Sequence, residues 1–242
     1  MYNGPEADKY QNGAPPSPPA TDSKIIVSSD TFRENRIPTG QTRTRKWPVL
    51  HATTVPPINL DTWKLEVGGL VENPLAFNWD EFQQLPRTQV FADFHCVTRW
   101  SRLGNLWEGV SGNEIMLHAN VKPAAKYVLA TGYDGDWTTN IPLKDFQSED
   151  VILCDQHDSE PLDADHGGPL RLIVPLLYAW KSAKWLKRID FIADDSPGYW
   201  ERCGYHNHGD PWIVDENNPD GERFQSKDNI PPGFDDVPPD LF

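Results

Sequence analysis

The stretch DHGGPLRLIVPLLYAWKSAKWLKRI, Asp165 to Ile189, decides how the rest of the chain is read. Pro169 to Pro175 is apolar and β-branched between two prolines, so it predicts a strand. From Ala183 the chain predicts a second strand or a strand-turn. Between the acidic start and the first strand, a Gly-Gly turn lets a backbone approach a ligand closely. His166 and Arg171 flank that turn, and Lys181 and Lys184 follow on the next one. Four groups able to hold an anion thus converge. A phosphate suits them, since Arg binds it bidentately and Lys as a point charge. The alternative is an ordinary surface loop whose Lys and Arg stems lie over the two tryptophans. No GxGxxG follows a strand and no Walker motif is present, so a nucleotide cofactor has no support.

Outward from this stretch the chain alternates short strands with a few short helices. WKLEVGGL (63–70), RTQVFADFHC (87–96), AKYVLATGYD and DVILCDQH read as strands. Asn78 opens a short capped helix, and WEGVSGNEIMLHAN reads as a loop entering a helix. With no regular βαβ alternation, the fold class is α+β. Residues 1–24, rich in Pro, Gly and Ser, predict a disordered tail, residues 25–216 a single ordered domain, and residues 217–242 an acidic Pro-rich tail. Phe234, Leu241 and Phe242 are candidate anchors of the second tail.

Net charge is −14, from 22 basic against 36 acidic residues, which argues against nucleic acid and anionic membranes as partners. No stretch has the ~20 apolar residues of a membrane span. The N-terminus has neither a basic start nor an apolar run, so it is not a signal peptide. Three widely spaced cysteines without a CxxC predict free thiols and a cytoplasmic location.

Cys96 sits in FADFHCVTRWSR (91–102), with His95, Arg99 and Arg102 close in sequence. It reads as a small buried hydrophobe, a nucleophilic thiolate or a soft-metal ligand, and the flanks do not separate the last two. In WERCGYHNHGDPW (200–212), Cys203, His206 and His208 match no common zinc spacing. A polar active-site rim with Tyr205 as a hydrogen-bond donor fits better. FRENRIPTGQ, from Phe32, adds a basic cluster before a Pro-Thr-Gly turn.

Together these stretches resemble the molybdopterin-binding domain of the sulfite oxidase family. The order matches: an early FxxxN-like segment, a single Cys at a strand end, Asp134 in TGYD, then D-H-G-x-P-x-R and K-W. The similarity runs from about Ser29 to Trp212. RxNRxPxGQ, KWPVLH and HCVTxWS place the chain nearest a small single-domain bacterial branch. The resemblance implies that Cys96 is the molybdenum ligand. It implies that Arg33, Asn35 and Arg36 line the pterin pocket with Asp134, His166 and Arg171. Ser182, Ala183 and Lys184 would close over the phosphate. His95, Arg99, Trp100 and Tyr205, with His206 and His208, would face the substrate. The cofactor implied is Mo-molybdopterin without a nucleotide. No haem-binding segment is present, so a separate electron donor or acceptor is expected.

Two departures bear on substrate. Sulfite oxidases carry an Arg directly before the early Asn and another four residues after the Cys, where this chain has Glu34 and Trp100. An acid and an aromatic in place of two cations disfavour a sulfite dianion. The Trp-Ser after the cysteine resembles the methionine-sulfoxide reductase branch. The expectation is therefore two-electron oxygen-atom transfer on a small sulfur- or nitrogen-oxo substrate, sulfoxide-like rather than sulfite. A cysteine-nucleophile hydrolase and a non-catalytic binding module are the alternatives. The immunoglobulin-like dimerisation domain of sulfite oxidases has no counterpart here, and a monomer is expected.

Overall fold

The structure is a computed structural model that describes residues 16–17, 25–135 and 137–226. Most of both predicted tails, including Phe234, Leu241 and Phe242, lies outside these residues. Two mixed sheets carry the architecture among the described residues. The first contains β1 (Ile25–Val27), β2 (Thr42–Thr44), β5 (Thr88–His95), β6 (Trp100–Ser111), β9 (Ile152–His157), β10 (Glu160–Pro161) and β11 (Arg171–Ile173). Its path is β1-β5-β6-β9-β10, with β2 parallel to β6 and β11 antiparallel to β9. The second sheet has the order β4-β3-β12-β7-β8. Its members are β3 (Leu65–Gly69), β4 (Leu75–Phe77), β7 (Tyr127–Gly132), β8 (Thr138–Pro142) and β12 (Leu186–Ile192). This is the mixed, α+β architecture that the sequence predicts.

The helices are short: α1 (Trp79–Gln83), α2 (Gly112–Ala119), α3 (Leu143–Phe146) and α4 (Tyr199–Arg202). The capped start at Asn78 is a full capping box, its side chain taking the Glu81 N–H while Glu81 reaches back. Ser111 Oγ accepts the Glu114 N–H to cap α2, without the reciprocal bond, and Asn120, left-handed at φ 50, ends it. One expectation is corrected here. Trp107–Ser111, read as a loop, is the second half of the long strand β6. Gly109 belongs in it because it faces β9 so closely that a Cβ would lie 2.0 Å from the Leu153 carbonyl oxygen. The strand pattern is therefore broken in sequence where packing demands a glycine.

Val110, Leu153 and Leu172 of the first sheet share one apolar cluster with Val128, Ile189 and Phe191 of the second, which joins the sheets through a common core. A second cluster holds Phe94, Trp107, Ile173, Tyr178, Trp180 and Tyr205, and Cys96 belongs to it. The chain beyond Glu216 is packed as well: Glu222, Arg223 and Phe224 are all buried.

The Gly-Gly pair makes its close approach to the chain itself. A Cβ on Gly167, at φ 104, would meet Lys184 Cβ at 2.9 Å, and one on Gly168 would meet the Leu162 carbonyl oxygen at 2.2 Å. Neither obstacle can swing aside, because both are main chain or its first carbon. Gly168→Ala should therefore destabilise the fold by about 1–3 kcal/mol, the usual cost of overpacking. Urea denaturation measures it, and an unchanged midpoint would contradict the packing described.

Candidate active site

A cavity of about 340 Å³ opens where the loop 47–52, the β5–β6 turn, the β7–β8 turn and the segments 179–185 and 200–205 meet. Of the residues singled out in the sequence, it brings together Cys96, Trp100, Asp134, Arg171, Ser182, Lys184 and Tyr205.

Cys96 follows the last residue of β5. Its N–H donates to the Trp100 carbonyl at 2.9 Å and its own carbonyl accepts from Arg99 N–H at 3.0 Å, which makes a tight turn with the thiol on the cavity side. Thr98 Oγ1 donates to Sγ at 3.2 Å. Burial pushes the thiol above its ordinary value, and the Thr98 hydrogen bonds pull against it.

Arg171, at the start of β11, is 2% exposed. Its guanidinium donates to the carbonyls of His166 (2.7 Å) and Ser182 (3.0 Å), while Nε is buried without a partner. It sits 5.4 Å from the ring centres of both Trp47 and Phe94. Burial lowers it to about 10, so it stays charged at neutral pH. Lys184 Nζ donates to the Asp165 carbonyl at 2.7 Å, and burial followed by the Arg171 charge lowers it to about 7. Among the described residues neither cation has a carboxylate within ion-pair distance. Asp134 Oδ2 accepts from Thr53 at 2.6 Å, and its Oδ1 is buried and unpartnered. Tyr205 is buried, stacked on Trp200 at 4.8 Å and edge-on to Trp180 at 5.0 Å. Burial and the nearby Cys96 raise its phenol, which keeps it a hydrogen-bond donor.

The other singled-out residues lie outside this lining. Arg33 is stacked over Trp212 at 4.1 Å and paired with Asp30, and Glu34 and Asn35 are exposed. Arg36 is buried in a two-bond ion pair with Asp93. His95 is fully buried, bonded to Ser101 Oγ at 2.9 Å and lowered to about 4 by burial. Arg99 turns out to Asp220 at 3.0 Å. His166 supports the cavity from behind: it stacks on Trp47 at 4.0 Å, engages Asp163, and holds the Trp47 carbonyl at 2.9 Å. Ala183 is buried, with its carbonyl taking the Leu172 N–H. His208 is held between Asp145 and Glu222, which raise it to about 9. His206 Nδ1 accepts from the backbone N–H groups of His208 and Gly209 at 3.2 Å. No His, Cys, Asp and Glu group among the described residues could hold a metal ion by itself. The aromatic wall of Trp47, Trp137, Trp180 and Trp185, and His51, were not singled out by sequence; the available signals were the motif KWPVLH and the high tryptophan count.

The description "Oxidoreductase molybdopterin binding domain" matches residues 51–200. The chain belongs to this family. As a molybdopterin-binding oxidoreductase it is 46% identical over 181 residues to the uncharacterized oxidoreductase YuiH of Bacillus subtilis (strain 168), covering 74% of this chain and 91% of that one. It is 30% identical over 153 residues to a putative protein-methionine-sulfoxide reductase subunit, YedZ1, of Azospira oryzae, covering 63% of this chain and 57% of the other. The crystal structure of the sulfane dehydrogenase SoxCD from Paracoccus pantotrophus matches with TM-score 0.54 and 25% identity, over 58% of this chain and 40% of that one. No helix among the described residues is long and apolar enough to cross a membrane.

The site fits the family's cofactor. Arg171 and Lys184 present uncompensated positive charge for a phosphate, and the orphaned Asp134 Oδ1 can accept from ring N–H groups. Cys96 offers a soft sulfur donor.

In the cofactor-free chain, sulfate should bind this cavity. Lys184 is charged below about 7 and sheds its proton above it, so affinity should fall as pH rises through that value. Lys184→Met should weaken binding about tenfold and flatten the profile, measured by calorimetry. Arg36→Met should instead leave sulfate binding intact and lower stability by about 3 kcal/mol in urea, because it strands Asp93.

Proposed function

We propose that this oxidoreductase carries a mononuclear molybdenum centre on Cys96. In this reading it transfers an oxygen atom, with two electrons, to or from a small neutral sulfur- or nitrogen-oxo compound such as a sulfoxide. The observation that supports it most directly is the uncompensated pair Arg171 and Lys184 in a cavity that also holds the Cys96 thiol. When bound, nucleotide-free Mo-molybdopterin would supply the two-electron couple and the oxo-transfer centre.

The chain's own groups have separable tasks in this reading. Arg171 and Lys184 bind the phosphate, and Ser182 lines the same wall. Asp134 accepts from the pterin. Cys96 would hold the metal as its thiolate, the metal–sulfur bond offsetting the raised pKa that burial imposes. Tyr205 stays protonated and donates a hydrogen bond to a substrate oxygen. Trp100, Trp180 and Trp200 exclude water and offer apolar faces.

An aromatic wall suits a neutral thioether or sulfoxide better than a sulfite dianion, which would need a further cation beside Trp100. The similarity to a putative protein-methionine-sulfoxide reductase subunit points the same way. For sulfoxide reduction the balance is one sulfoxide, two electrons and two protons giving one thioether and one water. The electrons come from a separate donor.

The hydrolase reading is disfavoured. The hydrogen-bond partner of Cys96 Sγ is the Thr98 hydroxyl and not an imidazole, and burial shifts the thiol in the wrong direction for a nucleophile.

Protein made in a host that synthesises molybdopterin should contain molybdenum and pterin in equal amounts. It should reduce methyl sulfoxides with an artificial donor faster than it oxidises sulfite. Cys96→Ser should abolish the molybdenum-dependent activity; full activity in that variant would sink the ligand assignment.

A further inference from the structure

Residues 219–226 lie beyond the matched stretch 51–200 and join the two walls of the cavity. Arg223 is 5% exposed. Its Nε and Nη2 both donate to the Val97 carbonyl, at 3.0 and 2.9 Å, one residue past Cys96. Its Nη1 pairs with Asp220 at 2.9 Å, and Asp220 also pairs with Arg99 at the far end of the same turn. The Tyr178 hydroxyl donates to the Asp220 carbonyl at 3.0 Å. The backbone of the segment grips the opposite wall. The Arg223 carbonyl accepts from His206 N–H at 3.0 Å, Phe224 forms a β-bridge with Tyr205, and Gln225 N–H donates to Gly204 at 3.0 Å.

The Cys96 turn closes on two backbone hydrogen bonds, and Arg99 sits at φ 71, where a side chain costs about 1–2 kcal/mol. A guanidinium bonded twice to one carbonyl fixes both the position and the orientation of the neighbouring peptide. We propose that Arg223 is a positioning residue that holds Cys96 in register with Tyr205 so that the cavity receives the molybdenum cofactor already shaped. This rests on Cys96 being the metal ligand, as proposed above. Groups that orient a ligand from behind typically alter metal affinity by about 10–100-fold.

The test uses the full chain from a molybdopterin-competent host, as wild type, R223Q, R223K, D220N and C96S. Molybdenum per chain, the Mo(V) electron paramagnetic resonance spectrum and the melting temperature are read on each. R223Q should fold, retain about tenfold less molybdenum, and show altered g-values in the fraction that remains loaded. R223K should fall between it and wild type, because the charge stays and the paired hydrogen bonds to one carbonyl are lost. A folded R223Q with a lowered melting temperature but wild-type molybdenum content and spectrum would reduce Arg223 to a stabilising contact and overturn the proposal. If R223Q does not fold, R223K and D220N decide on the same spectrum, and wild-type spectra in both overturn it. A wild-type spectrum in C96S would remove the ligand assignment itself, whatever Arg223 does.

Discussion

The buried guanidinium of Arg171 is the constraint around which the site is arranged. It is charged, almost without solvent, and bonded to two backbone carbonyls, those of His166 and Ser182. A buried cation without a counter-charge is costly, and the cost is tolerable only where the surrounding polar groups are fixed. The neighbouring geometry supplies that fixity. Gly167 and Gly168 let the turn carrying His166 lie directly on Lys184 and Leu162. The Val174 N–H binds the Ser182 hydroxyl, so the second carbonyl is held too. Trp47, clamped by His166, and Phe94 present ring faces to the guanidinium. The unmet demand for negative charge that remains is the basis on which anion binding is proposed for the cavity.

The thiol wall is built on a different principle. Cys96 lies in a reversal between the two longest strands of its sheet, and β6 continues from it for twelve residues. Backbone pairing along β5–β6 therefore fixes where the turn begins and ends. Beyond the ladder, the side chains of Thr98, Gln41 and Arg223 each donate a hydrogen bond to the turn. Cation wall and thiol wall are thus held differently, one by close main-chain packing and the other by polar side chains, two of them from distant segments.

The sequence was most legible where chemistry and local geometry coincide. The proline-bounded run with its Gly-Gly turn announced β11, and of the four groups read there as an anion cluster Arg171 and Lys184 reach the cavity while Lys181 is buried against Glu201 at 2.6 Å; Asn78 announced α1. Cys96, Asp134 and Tyr205 were also legible, through the family motif, and they do meet in the cavity. In the basic cluster at Arg33–Arg36 charge alone did not report the partners: Asp30, local, and Asp93, distant, pair with those guanidiniums. His95 and Arg99 flank Cys96 in sequence yet point elsewhere, since neighbours in a strand and a turn face opposite ways. Arg223 lacked any signal, because its partner Val97 is more than a hundred positions away and is recognised by its backbone rather than its side chain.

The cavity walls hold Trp47, Trp100, Trp137, Trp180, Trp185 and Trp200, six of the ten tryptophans in the chain. Most of the protein's indoles thus lie within a few ångströms of whatever occupies that space. An absorbing heterocycle there would accept excitation from several indoles at once, while the same molecule elsewhere on the surface would meet few of them. The chain accordingly carries its own optical gauge of cavity filling, built from the residues that shape the cavity and needing no added label.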